Sequence, residues 1–320
     1  MIIWLFILML AIAIIVSTIH IIMQPLWINP KKVVANVDVD PGKLRNDVEY
    51  LVEAFVPRDF SYPENLQRMA IYLKKRFEEA GARTELQEYV VDEHKYYNVI
   101  ASFGPNQGER LIIGAHYDTC CKLPGADDNT SGVAGLLALA PLLAKVNLKQ
   151  RVDLVAFTLE EPPYYRTDGM GSAQHAKMMK DQNIKVSLMI ALEMIGYFTD
   201  QPDTQEYPVP LLKAIYPTTG NFIAVVGGMK ERKIARRIKS KIVASTDLPV
   251  YSINAPAFLP GIDFSDHLNY WQHGFPAVML TDTAFYRNKH YHTAYDTPEK
   301  LDYERMADVI RGVYHFIITL

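Results

Sequence analysis

The chain has 320 residues, and 49% of them are hydrophobic, so it can hold one large domain or two modest ones with a substantial core. Its 33 basic and 36 acidic residues give a formal net charge of -3, and no basic block occurs, which excludes a typical nucleic-acid-binding protein. Cys120 and Cys121 are the only cysteines. Adjacent cysteines rarely bridge without strain, so we expect no disulfide framework.

The N-terminus is strongly apolar. No Asp, Glu, Lys or Arg occurs from Met1 to Met23, and Ile2 to Val16 is an unbroken apolar run. A helix of this length would be about 35 Å long, which is enough to cross a bilayer. The pattern predicts a retained single-pass anchor over residues 1–24, with the membrane as a partner. A cleaved signal peptide fits less well, because no basic residue precedes the run.

Residues 25–42 are predicted to form a tether. Residues 43–320 are predicted to form one domain in which helices and strands alternate. The predicted helices are 43–55, 66–77, 133–146, 171–180, 230–243, 264–271 and 306–317. The predicted strands are 83–91, 97–103, 110–115, 152–158, 187–192, 221–226 and 277–281. Residues 197–217 show neither helical nor strand periodicity and are predicted to form an irregular segment on the surface. Apolar strands that alternate with helices indicate an α/β fold, with a mostly parallel or mixed sheet covered by helices on both faces.

Residues 114–132, GAHYDTCCKLPGADDNTSG, form a long loop between a predicted strand and a predicted helix. The loop contains four potential metal ligands or ligand supports, which are His116, Asp118, Asp127 and Asp128. Acidic side chains this close together repel one another unless a cation lies between them. The sequence also allows a simpler interpretation, a solvated acidic loop whose Asp and Ser residues cap the next helix.

Three more segments with candidate ligands follow predicted strands. Glu160 and Glu161 follow the strand 152–158, Glu193 comes directly after the strand 187–192, and His292 follows the strand 277–281. Each taken alone is compatible with an ordinary solvated side chain. Because open α/β sheets place their sites at the carboxyl ends of strands, we expect them to meet. Together they supply imidazole and carboxylate groups suited to zinc, with no thiolate required.

Seven motifs now stand in order: GAHYDT, GADDNTSGVAG, the Glu160–Glu161 pair, GSAQHAK, LEMIG, FSDH and YHTAYDTPEKLDY. In this order they resemble the co-catalytic zinc peptidases, which include bacterial leucyl aminopeptidase and the glutamate carboxypeptidases, with glutaminyl cyclase as a relative. The resemblance covers residues 65–320, although 197–261 match no motif of the family. It implies the zinc aminopeptidase fold and two zinc ions per chain.

The resemblance also implies which residues bind the ions. His116 and Glu193 would hold one zinc, and Glu161 and His292 would hold the other. Asp128 would bridge the two ions. One departure is Glu193, because many members of the family have Asp at this position.

The resemblance further implies the catalytic groups. A metal pair lowers the pKa of a shared water, and Glu160 would act as the general base toward it. Asp118 would accept the second ring N–H of His116 and fix the ring. Tyr291 is similar in position to a tyrosine that stabilises the oxyanion in glutamate carboxypeptidases, and Tyr286 is its rival.

These expectations indicate a zinc-dependent exopeptidase, most simply an aminopeptidase acting on a peptide or peptide-like substrate outside the cytoplasm. The alternatives are a glutaminyl cyclase-like acyltransferase and a carboxypeptidase acting on acidic substrates. A binding protein on an inactive peptidase fold is disfavoured, because every ligand position holds a competent residue.

The substrate contacts are less well defined by the sequence. Glu160 or Asp266 would hold an α-ammonium group, whereas Arg287 would hold a carboxylate. Aromatic residues that flank the motifs could form an apolar pocket; they are Tyr164, Tyr165, Phe198, Phe264 and Phe285.

Overall fold

The structure is a computed structural model that describes residues 2–23, 30–33 and 37–320, with side chains of the first helix described at 3–18. This helix, α1, covers Ile2–Met23, where the sequence predicts the anchor. Across the described residues, however, no helix is long and apolar enough to cross a membrane, so the structure does not support the predicted span. Residues 25–29 and 34–36 of the predicted tether lie outside the described residues. A location outside the cytoplasm stays a prediction.

The remaining helices and strands lie close to their predicted positions. The helices are α2 (Pro41–Phe55), α3 (Pro63–Glu79), α4 (Gly132–Leu143), α5 (Gly171–Asp181), α6 (Arg232–Ser245), α7 (His267–Gln272) and α8 (Tyr303–Ile318). The strands are β1 (Arg83–Val91), β2 (His94–Phe103), β3 (Arg110–His116), β4 (Arg151–Phe157), β5 (Val186–Glu193), β6 (Ile223–Gly227), β7 (Val250–Asn254) and β8 (Ala277–Thr281).

The strands of the described residues form one mixed sheet in the order β1-β2-β4-β3-β5-β8-β6-β7. The central strands β4, β3, β5 and β8 are parallel, so their carboxyl ends meet at one edge. β2 runs antiparallel to β4, and β6 runs antiparallel to β8. This mixed sheet confirms the predicted α/β class.

Helices cover both faces of the sheet, as predicted. On one face, α2, α3, α4, α6 and α8 pack against strand residues such as Ile113, Leu154 and Ile190. On the other face, α5 and α7 pack against Ile112, Val155 and their neighbours. Because successive strand residues point to opposite faces, strands buried on both sides must be apolar throughout. This is why the central strands are continuous apolar runs.

Two elements differ from the sequence predictions. Helix α2 begins at Pro41, two residues before the predicted start, because the Asp40 side chain accepts a hydrogen bond from the Gly42 N–H at 2.8 Å and caps the helix. Strand β7 was not predicted. It lies at the edge of the sheet and is only partly buried, so it lacks the apolar run that indicates the central strands.

His175 of α5 is buried beneath the sheet, with the Tyr270 hydroxyl 2.6 Å from its Nδ1. Burial lowers the pKa of His175 to about 4, against an ordinary value of 6.5. Between these values the unfolded chain binds a proton that the folded chain does not. Stability is therefore lost as the pH falls from about 6.5 to about 4.

We expect this group alone to remove up to about 3 kcal/mol of stability over that pH range. His175→Gln should unfold with a smaller loss of stability over the same range, as measured by urea denaturation at several pH values. His94→Gln, at an exposed histidine of β2, is the matched control and should keep the wild-type pH dependence. An unchanged pH dependence in His175→Gln would contradict the assignment.

Candidate active site

The candidate ligands meet at the carboxyl edge of the parallel strands. His116 is the last residue of β3 and Glu193 the last residue of β5. Phe157 ends β4 opposite His116, and Glu160 and Glu161 follow it. Leu159 and Met194 have φ angles of 60° and 51°, in the left-handed region that non-glycine residues seldom adopt. These turns beside Glu160 and Glu193 redirect the chain at the site, where backbone strain commonly accumulates.

Asp128 lies between the two histidines. Its Oδ1 is 3.4 Å from His116 Nε2, and its Oδ2 is 3.0 Å from His292 Nε2. Glu193 Oε2 lies 3.4 Å from the same nitrogen of His116, and Glu161 Oε2 lies 3.2 Å from that of His292. The structure thus brings together all five predicted ligands in two halves of one site. One half holds His116 and Glu193, the other holds Glu161 and His292, and one carboxylate oxygen of Asp128 faces each half.

The backbone around Asp128 is fixed by side chains from elsewhere in the chain. Asp296 accepts hydrogen bonds from the N–H groups of Asp127 and Asp128, at 3.0 and 3.1 Å. Asn129 donates to the Leu192 carbonyl at 2.8 Å and accepts from the Met194 N–H at 3.0 Å. The loop is therefore tied to the end of β5, which holds Asp128 and Glu193 in fixed relation.

Arg58 also supports the loop of residues 114–132. Nothing in the sequence around Arg58 indicated this role. Its buried guanidinium donates to the Tyr117 carbonyl at 3.1 Å and to the Thr130 hydroxyl at 2.6 Å. A buried guanidinium needs such acceptors, because it cannot lose its charge at ordinary pH. Arg58 therefore holds both ends of the loop together.

The structure corrects the role predicted for Asp118. His116 Nδ1 lies 3.1 Å from the Asp118 main-chain oxygen, whereas the carboxylate is 3.6 Å away. The carboxylate instead accepts the N–H groups of Glu160 and Glu161, each at 3.1 Å. Each carboxylate oxygen of Asp118 therefore accepts one of these two N–H groups. Asp118 therefore positions the glutamate pair, and its carbonyl orients the histidine.

The charges at the site depend strongly on one another. Burial raises the pKa of Glu160 well above its ordinary value and raises the pKa of Glu161 to about 8. Burial opposes charge on His292, but Asp128 and Glu161 outweigh it and raise its pKa to about 10. At neutral pH these values leave protons on Glu161 and His292, and a cation bound between them would displace those protons.

The side chains present fit a zinc pair. His116 Nε2 is fully buried and has no hydrogen-bond partner in the described structure, which suits a nitrogen that binds a metal. The ligand atoms of His116, Asp128 and Glu193 lie within 4.8 Å of one another. Imidazole and carboxylate groups at such spacing are a typical zinc donor set.

A second group of potential ligand atoms lies within the same distance limit and consists of Cys120, Glu161 and His292. The sequence predicted the glutamate and the histidine but assigned no role to the cysteine. The predicted zinc ligands did not include a thiolate, so the sequence gave no reason to consider Cys120. Its position near Glu161 and His292 follows only from the fold of the loop.

Tyr291 lies directly against the site. Its ring stacks on His292, with centroids 3.8 Å apart and planes 14° from parallel. Burial raises the pKa of its hydroxyl above the ordinary value, so this group stays a proton donor at neutral pH. Tyr286 also lines the adjoining cavity, with its hydroxyl 3.5 Å from the Pro260 carbonyl.

A cavity of about 320 Å³ adjoins the ligands. At one end it is lined by Asp128, Glu160, Glu161 and Glu193. Farther from these acids the wall is mostly apolar, because Tyr207, Tyr216, Phe222 and Tyr251 come from β7 and the segment that leads into β6, on the far side of β8 from β3, β4 and β5. Phe264 and Phe285 also line the cavity. Among the described residues along this cavity, none is Lys or Arg. The cavity therefore combines an acidic end with an aromatic end.

Only some of the residues predicted to contact substrate line this cavity. Tyr165, Phe264 and Phe285 do, whereas Tyr164 and Phe198 do not. Asp266 is buried and does not line the cavity. Arg287 is also buried, and it donates to Gln205 Oε1 at 2.9 Å and to the Tyr197 carbonyl at 3.2 Å. It is therefore engaged within the fold and not presented to substrate.

The fold and the site together are typical of a metal-dependent hydrolase. Nitrogen and oxygen ligand atoms cluster at the carboxyl edge of an α/β sheet. Residues 98–317 match the profile described as Peptidase family M28. The chain belongs to this family and is a peptidase. Members of the family are generally zinc-dependent, in agreement with the donor set found here.

Relatives and solved structures agree with the family. YfbL of Escherichia coli K12, described as uncharacterized, is 49% identical over 281 residues, which is 85% of this chain and 86% of that protein. A probable leucine aminopeptidase of Trichophyton verrucosum is 26% identical over 259 residues, 78% of this chain and 64% of that protein. These similarities extend over most of the described chain.

Two solved structures show the same fold. LapA aminopeptidase of Legionella pneumophila superposes with a TM-score of 0.68 at 20% identity, covering 88% of this chain and 71% of that one. Glutaminyl cyclase of Fimbriiglobus ruber superposes with a TM-score of 0.67 at 22% identity, covering 91% and 98%. Aminopeptidase and cyclase thus share this architecture, and the fold alone does not separate them.

The geometry predicts that Asp128→Asn weakens metal binding at both halves of the site, because an amide offers one neutral oxygen where the carboxylate offers two charged ones. We expect about two zinc ions per chain in the wild type and fewer than one in the variant, as measured by atomic emission after dialysis. Asp168→Asn, in an exposed loop, is the control and should keep the wild-type content. Full zinc retention in Asp128→Asn would contradict the bridging role.

Proposed function

We propose that the chain is a zinc-dependent aminopeptidase that removes large apolar residues from peptide N-termini. The observation that carries the proposal is the cavity, in which acidic side chains lie at one end and aromatic walls at the other. An α-ammonium group fits the acidic end, and an apolar side chain fits the aromatic end. His116, Asp128, Glu161, Glu193 and His292 would hold two zinc ions.

The chemistry follows from where the side chains lie. A bound zinc pair would lower the pKa of water and polarise the scissile carbonyl. Glu160 lies in the cavity with its carboxylate 3.9 Å from His116 Nε2, close to the ligands but not between the histidines as Asp128 is. It would accept a proton from the attacking water and deliver it to the leaving amine. The Tyr291 hydroxyl would donate a hydrogen bond to the oxyanion.

The electrostatics of the cavity favour an aminopeptidase over the carboxypeptidase alternative. A carboxypeptidase needs a cation to hold the terminal carboxylate of its substrate. Arg287, the residue the sequence offered for this purpose, is buried and hydrogen-bonded within the fold. Among the described residues that line the cavity, no Lys or Arg offers such a cation, and Glu160, which is not a proposed zinc ligand, would repel a carboxylate.

Glutaminyl cyclase activity is the alternative to test beside it. The cyclisation expels ammonia and consumes no water, so it is distinguished by its product. Its substrate carries a carboxamide side chain, which gains less from the aromatic walls of the cavity than an apolar side chain does. Ammonia release from a peptide with N-terminal glutamine, without release of free glutamine, would favour the cyclase.

The Glu160→Gln substitution tests the proposed base. It removes the proton acceptor but leaves the ligand atoms, so zinc content should be unchanged while turnover of a leucyl or phenylalanyl amide falls by about 10² to 10⁴. Glu85→Gln, at an exposed glutamate of β1, is the control for loss of a surface carboxylate. Loss of zinc in Glu160→Gln would show that the roles of the two adjacent glutamates are misassigned.

The aromatic end of the cavity is tested by filling it. Ala224 of β6 lines the cavity, and a phenylalanine there would occupy space intended for a large substrate side chain. In Ala224→Phe we expect kcat/KM for a phenylalanyl amide to fall about tenfold or more relative to that for an alanyl amide. The alanyl amide serves as the internal control. Equal losses for both substrates would place the specificity pocket elsewhere.

A further inference from the structure

The loop after β3 places a thiol beside one half of the metal site. Cys120 Sγ belongs to the group of ligand atoms, with Glu161 and His292, that lie within 4.8 Å of one another. The Cys120 N–H donates to Glu161 Oε1 at 3.0 Å, so backbone and side chain of this residue both face the glutamate. The thiol therefore approaches the half of the site that Asp128 Oδ2 also faces.

The position of Cys120 is not explained by packing. Buried free cysteines usually act as small apolar side chains in a core. Cys120 is only partly buried and lies outside both apolar cores of the described chain, next to a small cavity shared with Asp128, His292 and Asp296. A thiol among charged side chains gains little from apolar contact, and its surroundings are those of a ligand.

Cys121 is a natural comparison. It is exposed, has a φ angle of 54°, and does not belong to the group of ligand atoms. Its Sγ lies 3.4 Å from that of Cys120, so the two thiols are close neighbours. They differ in which of them faces Glu161 and His292.

We propose that Cys120 is a thiolate ligand of the metal ion held by Glu161 and His292. This inference rests on the metal site of the proposed function and adds a donor that the family resemblance did not supply. As the sulfur–metal bond forms, the thiol proton passes to solvent, and no oxidation is involved. Tetrahedral ligands of zinc lie roughly 3.5 Å apart, so a small rotation of the Cys120 side chain would complete the contact.

A thiolate would make the two halves of the site chemically different. Asp128, Glu161, His292 and Cys120 would give one ion four protein ligands, which is the closed set typical of tightly held zinc. His116, Glu193 and the second oxygen of Asp128 would hold the other ion with three ligands and leave room for water. The thiolate would also make the closed half selective for softer metals.

Cobalt substitution tests the proposal on the full chain, because a thiolate bound to Co²⁺ gives a near-ultraviolet charge-transfer absorption that nitrogen and oxygen ligands do not give. We expect this absorption in the wild type and in Cys121→Ser, and its loss in Cys120→Ser. We also expect Cys120→Ser to bind its second ion at least 10-fold more weakly in chelator competition. X-ray absorption of the zinc form should show sulfur at about 2.3 Å.

The outcomes separate this inference from the proposed function. Two bound cobalt ions without the absorption would overturn it, and so would an absorption that survives in Cys120→Ser and is lost only in Cys120→Ser/Cys121→Ser. Leucyl amide hydrolysis is followed on the same samples. Hydrolysis without the absorption would reject the thiolate ligand and leave the aminopeptidase intact, whereas the absorption without hydrolysis would do the reverse.

Discussion

Compensation of buried negative charge is the constraint on which the rest of the structure depends. Asp128, Glu160, Glu161 and Glu193 lie together at the edge of the sheet, largely out of water, where a carboxylate is costly unless it is paired or hydrogen-bonded. Without metal, the two histidines and bound protons reduce that cost. The surrounding framework of Asp118, Asp296, Asn129 and Arg58 holds the backbone so that these groups cannot separate.

Much of this arrangement can be read from the sequence, because strand ends are visible in it. A short continuous apolar run bounded by turn signals indicates a strand buried on both faces, and parallel strands bring their carboxyl ends together. This is why His116, Glu193 and the Glu160–Glu161 pair could be predicted to meet although they lie far apart in the chain. The order of the motifs then supplied their proposed roles.

The rest depends on contacts that the sequence does not express. Whether His116 faces the carboxylate or the carbonyl of Asp118 is decided by differences of less than 1 Å. Arg58 supports the site, and Cys120 comes close to Glu161 and His292, through loops whose shape follows from packing and is not visible in any sequence periodicity. Strand β7 was missed because an edge strand need not be apolar on both faces.

The reversed direction of β6 has an evolutionary consequence. Because β6 runs antiparallel to β8, its first residues lie at the same edge as the metal ligands, and residues 205–216 reach that edge before it begins. One contiguous stretch, 205–262, therefore supplies much of the wall of the cavity but none of the proposed ligands. It is also the part of the chain without a recognisable motif. Changes in this stretch during evolution could therefore alter the substrate specificity while the proposed metal ligands stay the same.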